Sequence, residues 1–309
     1  MSARTLDRVP APLVLVGSGT AMYAGAAVAV GLFAAVGAPE VAWLRTAIAA
    51  VVLVAWRRPW RERWTAARWR AAVAFGLALA VMNVAFYVAI DHLPLGTAVA
   101  IEFTGPVAVA AFTGRGWRER GAIVVAAVGV VLLAGVALRP GPGHDRHDVV
   151  VGLVAVGIAA AAWAAYILLG RRVAAAGSGV TTLAVAMSVG AVALAPALAV
   201  PAAVAFTDLG LAWRAVVVAL LSSVVPYALE QVVLRRVGAA TFSVLMALLP
   251  ATAAVVGAVG LQQVPSVGEV VGLACVTGAL LMTGQLRRRT RPTDLPPTDL
   301  PPADLPPVA

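Results

Sequence analysis

An all-α integral membrane protein of ten transmembrane helices, paired as two inverted five-helix repeats, is the fold class this sequence predicts, and three observations lead there. Of its 309 residues 61% are hydrophobic and 12% charged, with a mean hydropathy of +0.94, too apolar to give a soluble globule a polar surface. Apolar runs of membrane-crossing length recur along the whole chain. The cationic residues, all 23 of them arginine, gather in every second connection between those runs.

A helix needs about 20 apolar residues to cross some 30 Å of hydrocarbon. Such runs lie near 11–31, 39–56, 69–90, 94–113, 119–138, 149–170, 179–200, 212–233, 239–260 and 267–285. The first follows Arg4 and Arg8 as a signal peptide would, but it is too long for a signal core and is read as a retained helix. Arg57 to Arg70, Arg115 to Arg120, Arg171 and Arg172, Arg235 and Arg236, and Arg287 to Arg291 continue the same alternation. Nineteen arginines fall on one side, against Arg139, Arg146 and Arg214 on the other, with Arg45 inside a span. By the positive-inside rule both termini are expected in the cytoplasm. Dispersed over inner loops, a net charge of +9 requires anionic membrane lipid as partner and no nucleic acid.

Tyr23 and Tyr166, Gly96 and Gly238, and Pro106 and Pro250 stand 142 to 144 residues apart, at matching places in successive sets of five spans. Five is odd, so the second set enters the membrane from the opposite face. Inverted repeats of this kind, with a site at their midplane interface, are characteristic of secondary transporters. The expected parts are a cytoplasmic N-terminus (1–10), a first repeat (11–138), a second repeat (149–285) and a tail (286–309). The tail repeats TDLPP, TDLPP, ADLPP, whose prolines deny helix and sheet their donors, and it reads as a disordered extension. The one cysteine, Cys275, excludes an intramolecular disulfide and reads as a small packing residue.

Glu102, in the otherwise apolar string LPLGTAVAIEFTGPVAVAAF, is the residue that most needs an explanation. An uncompensated carboxylate at the bilayer centre costs about 3 kcal/mol or more, so such an acid faces a cavity, a partner or a substrate route. It sits about 12 Å deep by helix rise. Two readings stand: contact to a substrate ammonium or proton carriage, and a structural hydrogen bond or ion pair in the bundle. Arg45 can neutralise Glu102, bind a substrate carboxylate through its fork, or snorkel to the interface. Glu230, five residues before Arg235, is a further candidate for substrate contact or coupling, or it can snorkel to the cytoplasmic interface. Asn83 with Tyr87, and Trp163 with Tyr166, put polar groups on single helix faces, where they line a cavity or bond between helices. Gly105 and Pro106, with Pro226 and Pro250, are the expected helix breaks, able to free backbone carbonyls inside the membrane.

Several strings carry a family resemblance: GAPEVAWLR (37–45), NVAFYVAI with LPLGTAVAIEFTGPVAVA (83–110), AAWAAYIL (161–168) and PYALE (226–230). They resemble the EamA-type transporters of the drug/metabolite transporter superfamily, and within it the bacterial exporters of threonine and homoserine, over nearly all of residues 11–285. The resemblance implies a bacterial inner-membrane exporter of small amino acids; the inverted repeats add alternating access, and proton carriage at Glu102 is the expected coupling. It implies no ATP-binding domain and no cofactor. A broad metabolite or drug exporter is the alternative, and a channel or membrane scaffold the alternative of another class. Where the superfamily commonly carries glutamates, this chain has Leu249 and Gln263. The expected partners are the amino acid, protons, lipid and, where the protein oligomerises, a second copy in a homodimer.

An enzyme does not fit the inventory. His92, His144 and His147 fall in predicted outer loops, and neither an HExxH motif nor a cysteine cluster is present, so no catalytic or metal-binding residue is expected.

Overall fold

The structure, a computed structural model, describes residues 9–113, 117–138, 146–175, 179–226, 229, 233 and 245–286, and every regular element among them is helical. The helices are α1 (Ala11–Val30), α2 (Phe33–Val36), α3 (Ala38–Arg57), α4 (Ala66–His92), α5 (Leu95–Glu102), α6 (Thr104–Thr113), α7 (Trp117–Ala137), α8 (Arg146–Ala175), α9 (Gly179–Ala202), α10 (Leu209–Ala219), α11 (Leu249–Gly260) and α12 (Val267–Leu286). Six stretches are long and apolar enough to cross a membrane, and four shorter apolar stretches occupy the remaining predicted spans. Large apolar side chains such as Val51, Phe112, Val131, Val192 and Val255 stand exposed around the bundle. In water they would be a liability, but hydrocarbon solvates them.

Local chemistry marks the ends. Gly37 takes φ 90°, a left-handed turn that a side chain resists, and reverses the chain between α2 and α3. The Thr65 hydroxyl accepts the Arg68 amide at 3.2 Å to cap α4, and Asp208 accepts the Leu211 amide at 2.9 Å to cap α10. Ser266 and Glu269 open α12 with a reciprocal capping box, in which the Glu269 carboxylate accepts the Ser266 amide at 2.8 Å. His92 closes α4 and His147 lies in the first turn of α8, so these two histidines are helical rather than in loops; His144 lies outside the described residues.

The fourth span, expected as one helix, is two. α5 stops at Glu102 and α6 starts at Thr104. Pro106 has no N–H to give the Glu102 carbonyl, which removes one rung of the ladder where the helix parts. Gly105 serves helix contact instead. A methyl there would run into the Ala160 carbonyl, so this glycine lets α6 touch the backbone of α8. Pro250 is the second residue of α11, just after helical Leu245 and Met246 and a turn at Ala247 and Leu248.

The packing runs between the two halves of the chain. α4 lies along α8, α9 along α3 and α4, α12 along α7, and α11 along α1 and α5. Gly76 permits one of the closest of these approaches, since a methyl on it would overlap the Ala186 backbone. At the Arg57 end, Glu62 pairs with Arg68 at 2.6 Å and accepts the Thr181 hydroxyl at 2.8 Å, tying the α3–α4 connection to the start of α9. The opposite, His92 end holds a cavity of about 600 Å³ lined by Asp91, His92, Thr97, Asp148, Gln263 and Glu269 among others.

Candidate functional site

Arg45 stands seven residues into α3 from the His92 end, about 10 Å deep, yet only 7% of it is exposed. Its Nε donates to Ser223 Oγ at 2.9 Å and its Nη2 to the Ser222 carbonyl at 2.9 Å. That carbonyl is available for a reason written four residues on: Pro226 has no N–H for an α-helical bond back to Ser222. There α10 continues into a π-helical turn over Leu220–Val224, a distortion frequent at functional sites. Helix α1 braces the turn, with Ser222 Oγ donating to the Met22 carbonyl at 3.1 Å and Ser18 Oγ to the Pro226 carbonyl at 3.4 Å. Arg45 thus occupies the carbonyl that Pro226 leaves without an α-helical donor. The remaining nitrogen of the fork, Nη1, makes no hydrogen bond among the described residues.

The Arg45 guanidinium lies 5.3 Å from the centre of the Tyr87 ring, over its electron-rich face. Tyr87 is wholly buried, with Phe33 at 5.8 Å and Phe86 at 6.2 Å between ring centres. One helical turn away on the same face of α4 is Asn83, also buried. Neither Tyr87 Oη nor Asn83 Nδ2 has a hydrogen-bond partner.

Glu102 ends α5, seven residues from its start and so at about the depth of Arg45 and Tyr87. It is 8% exposed, and among the described residues nothing forms a hydrogen bond or ion pair with it. The charge that acts on it is that of Arg45, from beyond ion-pairing distance. Phe103, next in the chain, meets the Trp163 ring edge-on at 4.6 Å.

Arg45, Tyr87 and Asn83 thus gather at one depth with Glu102, and Trp163 packs beside the Glu102 break. Tyr166 does not join them: it stacks on Phe75 at 4.4 Å, in a second apolar cluster with Leu53, Leu79 and Met187 toward the Arg57 end. Glu230 lies outside the described residues. The large cavity lies beyond the group, nearer the helix ends. Ser222 and Ser223 escaped the sequence reading; two serines just ahead of Pro226 in an apolar span were the available signal. Gln263, at one of the two places without a glutamate, accepts the Leu95 amide at 2.9 Å and so satisfies the first N–H of α5. Leu249, at the other, is buried in the core.

An acid and a base held apart in an apolar bundle, each with unused hydrogen-bonding capacity, match the two ends of a zwitterion. Arg45 Nη1 can take a carboxylate, and Glu102 an ammonium.

Comparison with known proteins gives the family. The EamA-like transporter family matches residues 150–285. The threonine/homoserine exporter RhtA of Salmonella typhimurium (strain LT2) is 37% identical over 267 residues, 86% of this chain and 88% of the exporter. The protein of the same name from Escherichia coli (strain K12) is 35% identical over the same shares. One solved crystal structure has the same fold at a TM-score of 0.57 with 17% identity, across 90% of this chain and 98% of that one. These relatives are exporters rather than enzymes. The chain is therefore a multi-pass membrane protein that belongs to the EamA-like transporter family.

Proposed function

We propose that the protein exports small amino acids such as threonine and homoserine across the bacterial inner membrane, by alternating access and in exchange for protons. The observation that carries this reading is the buried Glu102, without an ion pair among the described residues, at the depth of Arg45. A transporter of uncharged or cationic drugs has no use for a guanidinium braced to present one free nitrogen, whereas an amino acid needs both charges met at once.

Alternating access draws support from the pattern of packing. With ten spans numbered in order, spans two and seven, four and nine, and five and ten pair with their own counterparts, and the contact of span three with six mirrors that of eight with one. A structure of two interlocked inverted halves has a second, mirrored arrangement of similar energy. The tied Arg57 end and the open His92 end correspond to one of these. Membrane lipid surrounds the exposed apolar belt, and both termini lie in the cytoplasm.

Inverted membrane vesicles test the proposal. Labelled threonine and homoserine should accumulate in them, faster when the lumen is made acid, and unlabelled substrate on the far side should accelerate exchange. Absence of both substrates from the vesicles, with resistance to hydrophobic cations in cells, would instead indicate a broad exporter. Transport without trans-acceleration would indicate a channel.

Topology is checked separately with reporter fusions. Fusions after residues 65, 117 or 286 should report cytoplasm, and fusions after 92 or 145 the exterior. A cytoplasmic signal at 145 would remove the inverted repeat and the alternating-access argument with it.

A further inference from the structure

Two hydrogen-bonding groups in the site remain unused once Arg45 and Glu102 have met the charges of an amino acid. Tyr87 Oη and Asn83 Nδ2 are buried, lie one turn apart on one face of α4, and have no partner. Buried polar groups are nearly always satisfied, so two orphans side by side need an explanation. Packing does not supply one, because a Phe and a Leu would fill the same space at no polar cost. Their position adds the rest: the ring that carries Oη is the one beneath the Arg45 guanidinium, so a carboxylate on Arg45 brings the substrate side chain within their neighbourhood.

We infer that Tyr87 and Asn83 select a hydroxyl on the substrate side chain. The amide N–H donates to that hydroxyl and the phenol closes the remaining bond. This rests on the amino-acid reading above and extends it from the charged ends to the side chain. A pocket built to hydrogen-bond a hydroxyl rejects the isostere that lacks one far more strongly than an apolar pocket rejects an added hydroxyl, because the mismatched substrate leaves the orphans buried and unpaired. Selection therefore falls on threonine against valine, and on homoserine against norvaline, pairs that differ by hydroxyl for methyl.

The test is transport in inverted vesicles of those four amino acids, compared as kcat/KM. Wild-type protein is expected to favour each hydroxyl-bearing member by about a hundredfold or more. Tyr87→Phe keeps the ring under Arg45 and removes only Oη; Asn83→Leu keeps the volume. Each should shrink the preference at least tenfold, with the amount of each variant in the membrane fraction measured alongside to show that it is inserted. Wild-type transport of valine and norvaline within a few-fold of their partners would overturn the inference and leave the amino-acid reading standing, and it decides the matter even where a variant fails to insert. Variants that transport with an unchanged preference overturn it as well. Failure of the wild type to carry any of the four would overturn both.

Discussion

Glu102→Gln protein is expected to insert at the wild-type level and to lose gradient-driven export of threonine and homoserine altogether. The substitution preserves size and part of the hydrogen-bonding capacity but removes both the charge and the exchangeable proton. Among the described residues nothing holds this side chain, so the substitution removes no bond seen there, and the helix break at Phe103, set by the backbone and Pro106, stays in place. On the proposed mechanism, what disappears is the group that trades a proton for a substrate ammonium, the simplest link between export and proton entry. Exchange without a gradient should fall as well, since the ammonium loses its counter-charge, a charge-assisted contact of about 2 kcal/mol. The measurement is concentrative uptake into inverted vesicles over a range of external pH. A Glu102→Gln protein that concentrates substrate at the wild-type rate and with the same pH dependence would make Glu102 structural.

Arg45→Met should raise the KM for threonine by about a hundredfold, in line with the roughly 3 kcal/mol lost when one member of a buried charged contact is removed. Arg45→Lys should recover little of it. A lysine ammonium is a point charge, and it cannot hold the Ser223 hydroxyl and the Ser222 carbonyl while presenting a further nitrogen at the fixed angle of the fork. The decisive comparison uses the decarboxylated amine of the same side chain as a competitor. If Arg45 holds the carboxylate, the amine binds wild type and Arg45→Met equally weakly, whereas threonine loses affinity only in the variant. Equal loss for both compounds would mean that the arginine supports the bundle and does not meet the substrate.

The membrane fold was legible from residue content because insertion is close to a sum over residues in a window. Each apolar run reports on itself, and the arginines of Arg57 to Arg70 report on the loop they occupy. The lost rungs of the ladder were legible for a similar reason, since a proline acts on the carbonyl four residues before it wherever the chain goes. Even so, the break in the fourth span falls at Phe103, ahead of both Gly105 and Pro106, and Gly105 serves helix contact. Helix faces were not legible. The spans are apolar all round, so no periodic stripe says which side meets lipid and which a neighbour.

The sequence by itself determined that this is a polytopic membrane protein with a carboxylate, a guanidinium and several prolines at membrane depth. Only the tertiary structure decided what those groups do for one another. Arg45 reaches Ser222 and Ser223, more than 170 residues away, and Tyr166 turns to Phe75 instead of the site. These are relations between segments, set where glycines such as Gly76 let backbones touch and where a proline leaves a carbonyl without its donor. The free energy of a contact between two helices belongs to neither alone, and so it is absent from any reading of the chain one span at a time.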